Sequence, residues 1–370
     1  MRSGLPGVLS YATDLVRTSL LPTVRDMHVA IAGHAPFASV HLPAAGLVYD
    51  GVGLGLRVAG AGLSAADHSG ERLEDGPRGR FTVAMINGLF GDQLAEEHPH
   101  LAITMAVRHD GHDVPLETGA LAASHPAATG DLVVFLPGLV EDESAWWARV
   151  GEHGSYGDRL AADTGWTPVY LRQNSGLPIA ENGVALASLM GRLVEAWPVD
   201  VRRIALVGHS LGGLVIRTAC AVRTDDDRPW TDLVTNIVTL GTPHLGAPIA
   251  QALVLGADAL GKVAEAAPIG RLLDRRSAGI VDLRRGLPRK VTALPHVRHH
   301  LVAGTLTRSP RHPVGAVAGD MLVRYPSAVG RDRRGRETLP GADVLHVPNA
   351  DHFDLLNHDD VYAALREWLS

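Results

Sequence analysis

The 370-residue chain has a single cysteine, Cys220, so no internal disulfide can form, and its place in an apolar helical run reads as a small buried group. Aromatic residues are scarce, at 5%. Charge of one sign is lacking too: 34 basic against 40 acidic residues leave a formal net charge of -6, which offers no electrostatic ground for a nucleic-acid partner. No stretch is long and charge-free enough to span a bilayer, because Asp50 and Arg57 interrupt the most apolar region, 44–66. Residues 1–13 carry Arg2, lack a sustained apolar core and run into Asp14 and Arg17, unlike a secretory signal. The expectation is a cytoplasmic protein, with a peripheral membrane contact left open. Cys/His metal-ligand spacing and the G-x-x-x-x-G-K-[ST] phosphate loop are also missing, and the glycines at 51, 53, 55, 60 and 62 follow no strand that would make them a dinucleotide fingerprint. Neither a metal nor a cofactor is expected.

What is present divides near Pro99. Before it, helical spacing over 7–20, 44–66 and 81–97 predicts an N-terminal helical extension, residues 1–98, with Leu9, Ala12, Val16 and Leu20 on one stripe. Such stripes need cover from the rest of the chain, from a second copy in a homo-oligomer, or from a membrane. The absence of a Lys/Arg-rich face and aromatic anchors favours the first two. Residues 69–80 read as a linker. From 99 to 370 the pattern becomes β–α alternation. Runs at 102–108 and 113–116 flank His109-Asp110-Gly111-His112, a hairpin signal. Strands are expected at 132–136, 167–172, 203–207, 235–240, 299–304 and 344–347, with a helix over 184–197, which argues for a mostly parallel sheet covered on both faces and opened by an antiparallel hairpin.

One of those strands leads directly into Gly208-His209-Ser210-Leu211-Gly212, a G-x-S-x-G string, and a helical run follows. A serine on such a strand-to-helix turn is lifted clear of the sheet, and the N–H of the next residue, Leu211, points where an oxyanion would form. Ser210 is therefore the candidate nucleophile. It needs a histidine base and an acid to orient it. His352 lies on the loop between the last strand and an amphipathic closing helix over 361–369, and is the chosen base among 19 histidines. His346 falls inside the strand, and His358 reads as a cap or a solvent-facing residue. For the acid, Asp320 follows the preceding strand and is favoured. Asp332 and Asp343 remain alternatives, whereas Asp351 is set aside because a sequence neighbour rarely reaches the ring nitrogen.

Four strings, Gly208-His209-Ser210-Leu211-Gly212-Gly213, Thr239-Leu240-Gly241-Thr242-Pro243-His244-Leu245-Gly246, Gly319-Asp320-Met321-Leu322-Val323 and His352-Phe353-Asp354-Leu355-Leu356, occur in order over roughly the last two thirds of the chain. With them the chain resembles α/β-hydrolases of the lipase and esterase group, including relatives of GPI inositol-deacylase that share a G-H-S-x-G-G elbow. The resemblance implies an α/β-hydrolase fold and an oxyanion loop after the strand at 132–136. Here Pro137-Gly138-Leu139 replaces the usual His-Gly, and proline has no N–H to give. Leu139 is the expected second donor beside Leu211, with Val140 as the alternative. It also implies a helical cap in the insertion 247–285, read either as a lid over an acyl cleft or as a rigid surface helix pair.

The implied reaction is carboxylic-ester hydrolysis through an acyl-enzyme, on a small-molecule or lipid ester, with no cofactor. An acyltransferase would use the same three residues and prefer an alcohol to water. A non-catalytic binding protein on this fold is the rival from another class.

Overall fold

The computed structural model describes residues 76–223, 228–247, 277–288, 291, 293–312, 315 and 318–370. The helices expected at 7–20 and 44–66, and most of the expected cap, lie outside the described residues. The elements run α1 (Pro77–Glu97), β1 (Ala106–His109), β2 (His112–Val114), α2 (Thr118–Ser124), β3 (Asp131–Leu136), α3 (Tyr156–Thr164), β4 (Thr167–Arg172), α4 (Ile179–Ala196), β5 (Arg203–His209), α5 (Leu211–Ala219), β6 (Val234–Leu240), α6 (Ala278–Arg285), β7 (Arg298–Thr305), α7 (Tyr325–Ala328), β8 (Asp343–Pro348) and α8 (Asp359–Trp368).

The strands form one sheet of 8 in the order β2-β1-β4-β3-β5-β6-β7-β8. β1 runs antiparallel to β2 and β4, and every later pairing is parallel. The hairpin turns at Asp110 and Gly111, both with positive φ (47° and 77°), as a two-residue turn requires. Because it lies beside β4, β3 enters the sheet interior, between β4 and β5, and all six of its residues are buried.

Alternation along the strands supplies two cores. Leu132, Val134, Leu136, Ile204 and Leu206 face Leu186, Met190 and Leu193 of α4 and Leu214 of α5, while Val133, Phe135, Ala205 and Val207 face the opposite layer, with Leu160 of α3 and Leu365 of α8. Burial on both faces explains why the parallel strands read as continuous apolar runs. α5 ends at the buried Cys220, whose thiol burial pushes up to about 12. Among the described residues, no helix is long and apolar enough to cross a membrane.

Helix α1 lies against this domain. Ser277 Oγ donates to Gly88 O (2.7 Å), Asn174 Nδ2 to Gly91 O (3.0 Å) and Ala278 N to Asp92 Oδ2 (2.8 Å). Side chains that take carbonyls from the helical ladder in this way account for the break in helical geometry at Phe90 (φ -140°). Val83, Ile86 and Leu94 of α1 close a small cluster with Leu101 and Ile103.

Candidate active site

The elbow forms because β5 and α5 approach more closely than side chains permit. A Cβ at Gly208 would lie 2.6 Å from Gly213 N, and one at Gly212 would lie 2.4 Å from Leu136 O. Between these glycines Ser210 is bent to φ 50°, ψ -119°, a conformation L-residues avoid unless their surroundings impose it. Its N–H is anchored on Leu240 O at 2.8 Å, and the residue is 7% exposed.

His352 follows β8 and Asp320 follows β7, so both stand with Ser210 at the carboxyl edge of the sheet. His352 Nδ1 is 2.7 Å from Asp320 Oδ2, and His352 N donates to Asp320 O at 2.9 Å. The other carboxylate oxygen, Oδ1, accepts from Leu322 N (3.0 Å) and Val323 N (2.8 Å). Asp320 and His352 are buried, at 0% and 2% exposure. A carboxylate can only accept, so Nδ1 carries a proton and Nε2 is left as the basic nitrogen. Burial disfavours the imidazolium, but the Asp320 charge and hydrogen bond, helped by Glu141 and Asp351, outweigh it and raise the His352 pKa. Gly241 (φ 58°) backs this pair, with its absent Cβ 2.9 Å from His352 Cε1 and Nδ1.

The other candidate residues lie elsewhere. Asp332 closes its own turn, accepting from Arg334 N and Arg336 N. Asp343 opens β8 with a side chain 63% exposed, 3.1 Å from His300 Nδ1. Asp351 pairs with Arg149, which also binds Asp354, and accepts from Phe353 N and Asp354 N, bracing the His352 loop. His346 sits in β8 with Nε2 2.7 Å from Thr305 Oγ1. His358 caps α8 by accepting from Asp360 N.

Loop 137–141 passes directly over the elbow, close enough that a Cβ at Gly138 would lie 3.1 Å from Ser210 Cβ. Gly138 N donates to Glu141 Oε2 (2.6 Å) and Val140 N to Ser175 Oγ (3.0 Å). Val140, the alternative donor, thus has its N–H engaged. Neither Leu139 N nor Leu211 N finds an acceptor among the described residues. Sequence reasoning missed the pairing of Glu141 with His209, in which His209 Nδ1 lies 2.9 Å from Glu141 Oε2. Burial would push the Glu141 carboxyl up, but the His209 charge and hydrogen bond, Gly138 N and His352 hold it below the usual range.

A doubly covered, mostly parallel sheet, with a strained serine after β5, an acid after β7 and a histidine after β8, decides the architecture. The chain has an α/β-hydrolase fold. Residues 187–256 match the family described as a PGAP1-like alpha/beta domain. Among solved structures the chain is similar to the mature lipase BlEst2 of Bacillus licheniformis, at 20% identity and TM-score 0.44, over 65% of this chain and 92% of that one. It is also similar to lipase 1 of Pelosinus fermentans (14%, TM-score 0.41, 66% and 99% covered). An esterase from Pyrococcus furiosus is a third (12%, TM-score 0.40, 66% and 82% covered). No curated protein matches the chain.

Proposed function

We propose that this protein is a carboxylic-ester hydrolase acting through Ser210, His352 and Asp320. The observation that carries the reading is the buried His352 Nδ1–Asp320 Oδ2 contact of 2.7 Å at the same sheet edge as the strained Ser210. In the first half-reaction Nε2 of His352 takes the Ser210 proton as Oγ attacks the ester carbonyl. The Leu211 and Leu139 N–H groups receive the oxyanion, and the imidazolium returns its proton to the departing alcohol. Water then repeats the sequence on the acyl-enzyme. With few aromatic residues available, an aliphatic acyl cleft suits a small-molecule or lipid ester.

A chain-length series of nitrophenyl esters tests this. Turnover by the wild type, with Ser210→Ala and His352→Ala each folded but slowed on the order of 10⁴ to 10⁶ in kcat, is expected of residues that act as one unit. Folded Ser210→Ala retaining more than about a hundredth of the activity would sink the assignment.

A further inference from the structure

Loop 137–141 is held at more points than a surface turn needs. Gln173 Nε2 donates to Pro137 O (2.8 Å), Glu141 Oε2 takes the Gly138 N–H and Ser175 Oγ takes that of Val140. Of the amides at 138, 139 and 140, only Leu139's is left without an acceptor among the described residues. The backbone is strained at the same place: Val140 has φ 58°, a region β-branched residues avoid because Cβ collides with the main chain. Surrounding structure must impose that conformation. Gln173 and Ser175 are both 1% exposed, and the Glu141 side chain is 10% exposed.

The protons on His209 follow from its partners. Its Nε2 faces His352 O at 3.1 Å, and a carbonyl only accepts, so Nε2 bears a proton. Its Nδ1 faces Glu141 Oε2 at 2.9 Å, the same oxygen that already accepts the Gly138 N–H. An oxygen accepting from an amide at 2.6 Å is best a carboxylate. Both ring nitrogens thus face acceptors, Nε2 the His352 carbonyl and Nδ1 the Glu141 carboxyl. Its ring also lies against that of His352, with centroids 4.6 Å apart.

We propose that the buried Glu141–His209 pair is a positioning device for ester cleavage. It locks loop 137–141 in the strained form that leaves the Leu139 N–H free beside Ser210, and through Nε2 of His209 it ties that loop to the main chain of His352. The oxyanion donor and the base are thereby held by one buried pair. Glu141 and His209 act in this arrangement through loop 137–141 and through His352, as positioning residues. The proposal rests on the reading of Ser210 as nucleophile.

The test uses the full chain with Glu141→Ala, Glu141→Gln and His209→Gln. Turnover of a nitrophenyl ester is expressed per site labelled by a fluorophosphonate. Glu141→Ala should lose roughly 10² in kcat, as for an oxyanion donor displaced from its place, with KM nearly unchanged. Glu141→Gln keeps an acceptor for Gly138 but not the carboxylate that faces His209 Nδ1, so it should recover part of the loss. His209→Gln should resemble it. Affinity for an aryl boronic acid, whose tetrahedral adduct fills the oxyanion site, should fall in step with kcat. If Glu141→Ala does not fold, the two glutamine variants decide. Normal turnover per labelled site, with only the melting temperature or the labelled fraction reduced, would make the pair ordinary packing and overturn the proposal. A wild type that is folded yet neither labelled nor active would instead overturn the hydrolase reading, and this proposal with it.

Discussion

Replacing Asp320 by asparagine changes the hydrogen-bonding character of one oxygen while keeping the size of the side chain. The structure fixes which way the new amide must point. Oδ1 accepts two backbone N–H groups, from Leu322 and Val323, whereas Oδ2 faces His352 Nδ1 at 2.7 Å. Turning the amide nitrogen toward Leu322 and Val323 would sacrifice both bonds, at about 1 kcal/mol or more each in a buried site. The amide oxygen therefore stays at Oδ1, and the NH₂ group meets Nδ1. The ring must then accept at Nδ1 and carry its proton on Nε2, the nitrogen that has to take the proton of Ser210. A trapped tautomer, with no carboxylate to support imidazolium, should cost roughly 10³ to 10⁴ in kcat, or about 4 to 5.5 kcal/mol of barrier. Steady-state kinetics on a nitrophenyl ester, normalised to labelled sites, measure it, and circular dichroism checks the fold. Asp320→Asn within tenfold of wild type, or equal damage from Asp332→Asn or Asp343→Asn, would refute the reasoning.

Three further outcomes follow from the same geometry. Since burial is outweighed by Asp320 and its neighbours, the His352 pKa lies above its ordinary value of 6.5; the base acts when neutral, so kcat/KM should fall as pH drops through an acid limb above 6.5, and a limb well below that value would contradict the pairing. Gly241→Ala would place a methyl 2.9 Å from His352 Cε1 and Nδ1, on a backbone with φ 58°, so kcat should fall on the order of 100-fold or more for a misplaced base, read by the ester assay, with a modest drop in melting temperature. Ser277→Ala removes both the cap on Ile280 N and the bond to Gly88 O, and should cost about 1 to 2 kcal/mol in denaturant unfolding, while turnover per labelled site stays unchanged.

The central strands are legible because they are buried on both faces: β4 spans the expected 167–172, and β6 begins one residue before the expected 235. The edge strand β8, with only Val347 buried, runs one residue beyond expectation at each end. The hairpin was expected from 102, but β1 starts at Ala106, because Leu101 and Ile103 pack on α1 and Ile103 N donates to Asn87 Oδ1. A tertiary partner there overrides a local apolar run. α4 begins at Ile179, earlier than 184, after Pro178 and without any side-chain cap that could have marked its start. Ser210, His352 and Asp320 could be named from local strings around turns, and the structure joins the last two by a hydrogen bond. Glu141 and His209 could not, since their pairing spans 68 residues and neither fits a pattern of its own, although a histidine next to the elbow serine and an acid three residues after Gly138 were visible clues.

The central claim, that Ser210 is a nucleophile activated by His352 and Asp320, is tested most directly by covalent labelling. Wild-type protein is incubated with a fluorophosphonate, intact mass is measured, and the modified peptide is sequenced. The account predicts one adduct per chain, on Ser210, absent in Ser210→Ala and formed far more slowly in folded His352→Ala. A folded wild type that takes up no label, or takes it up at another residue with Ser210 untouched, would contradict it.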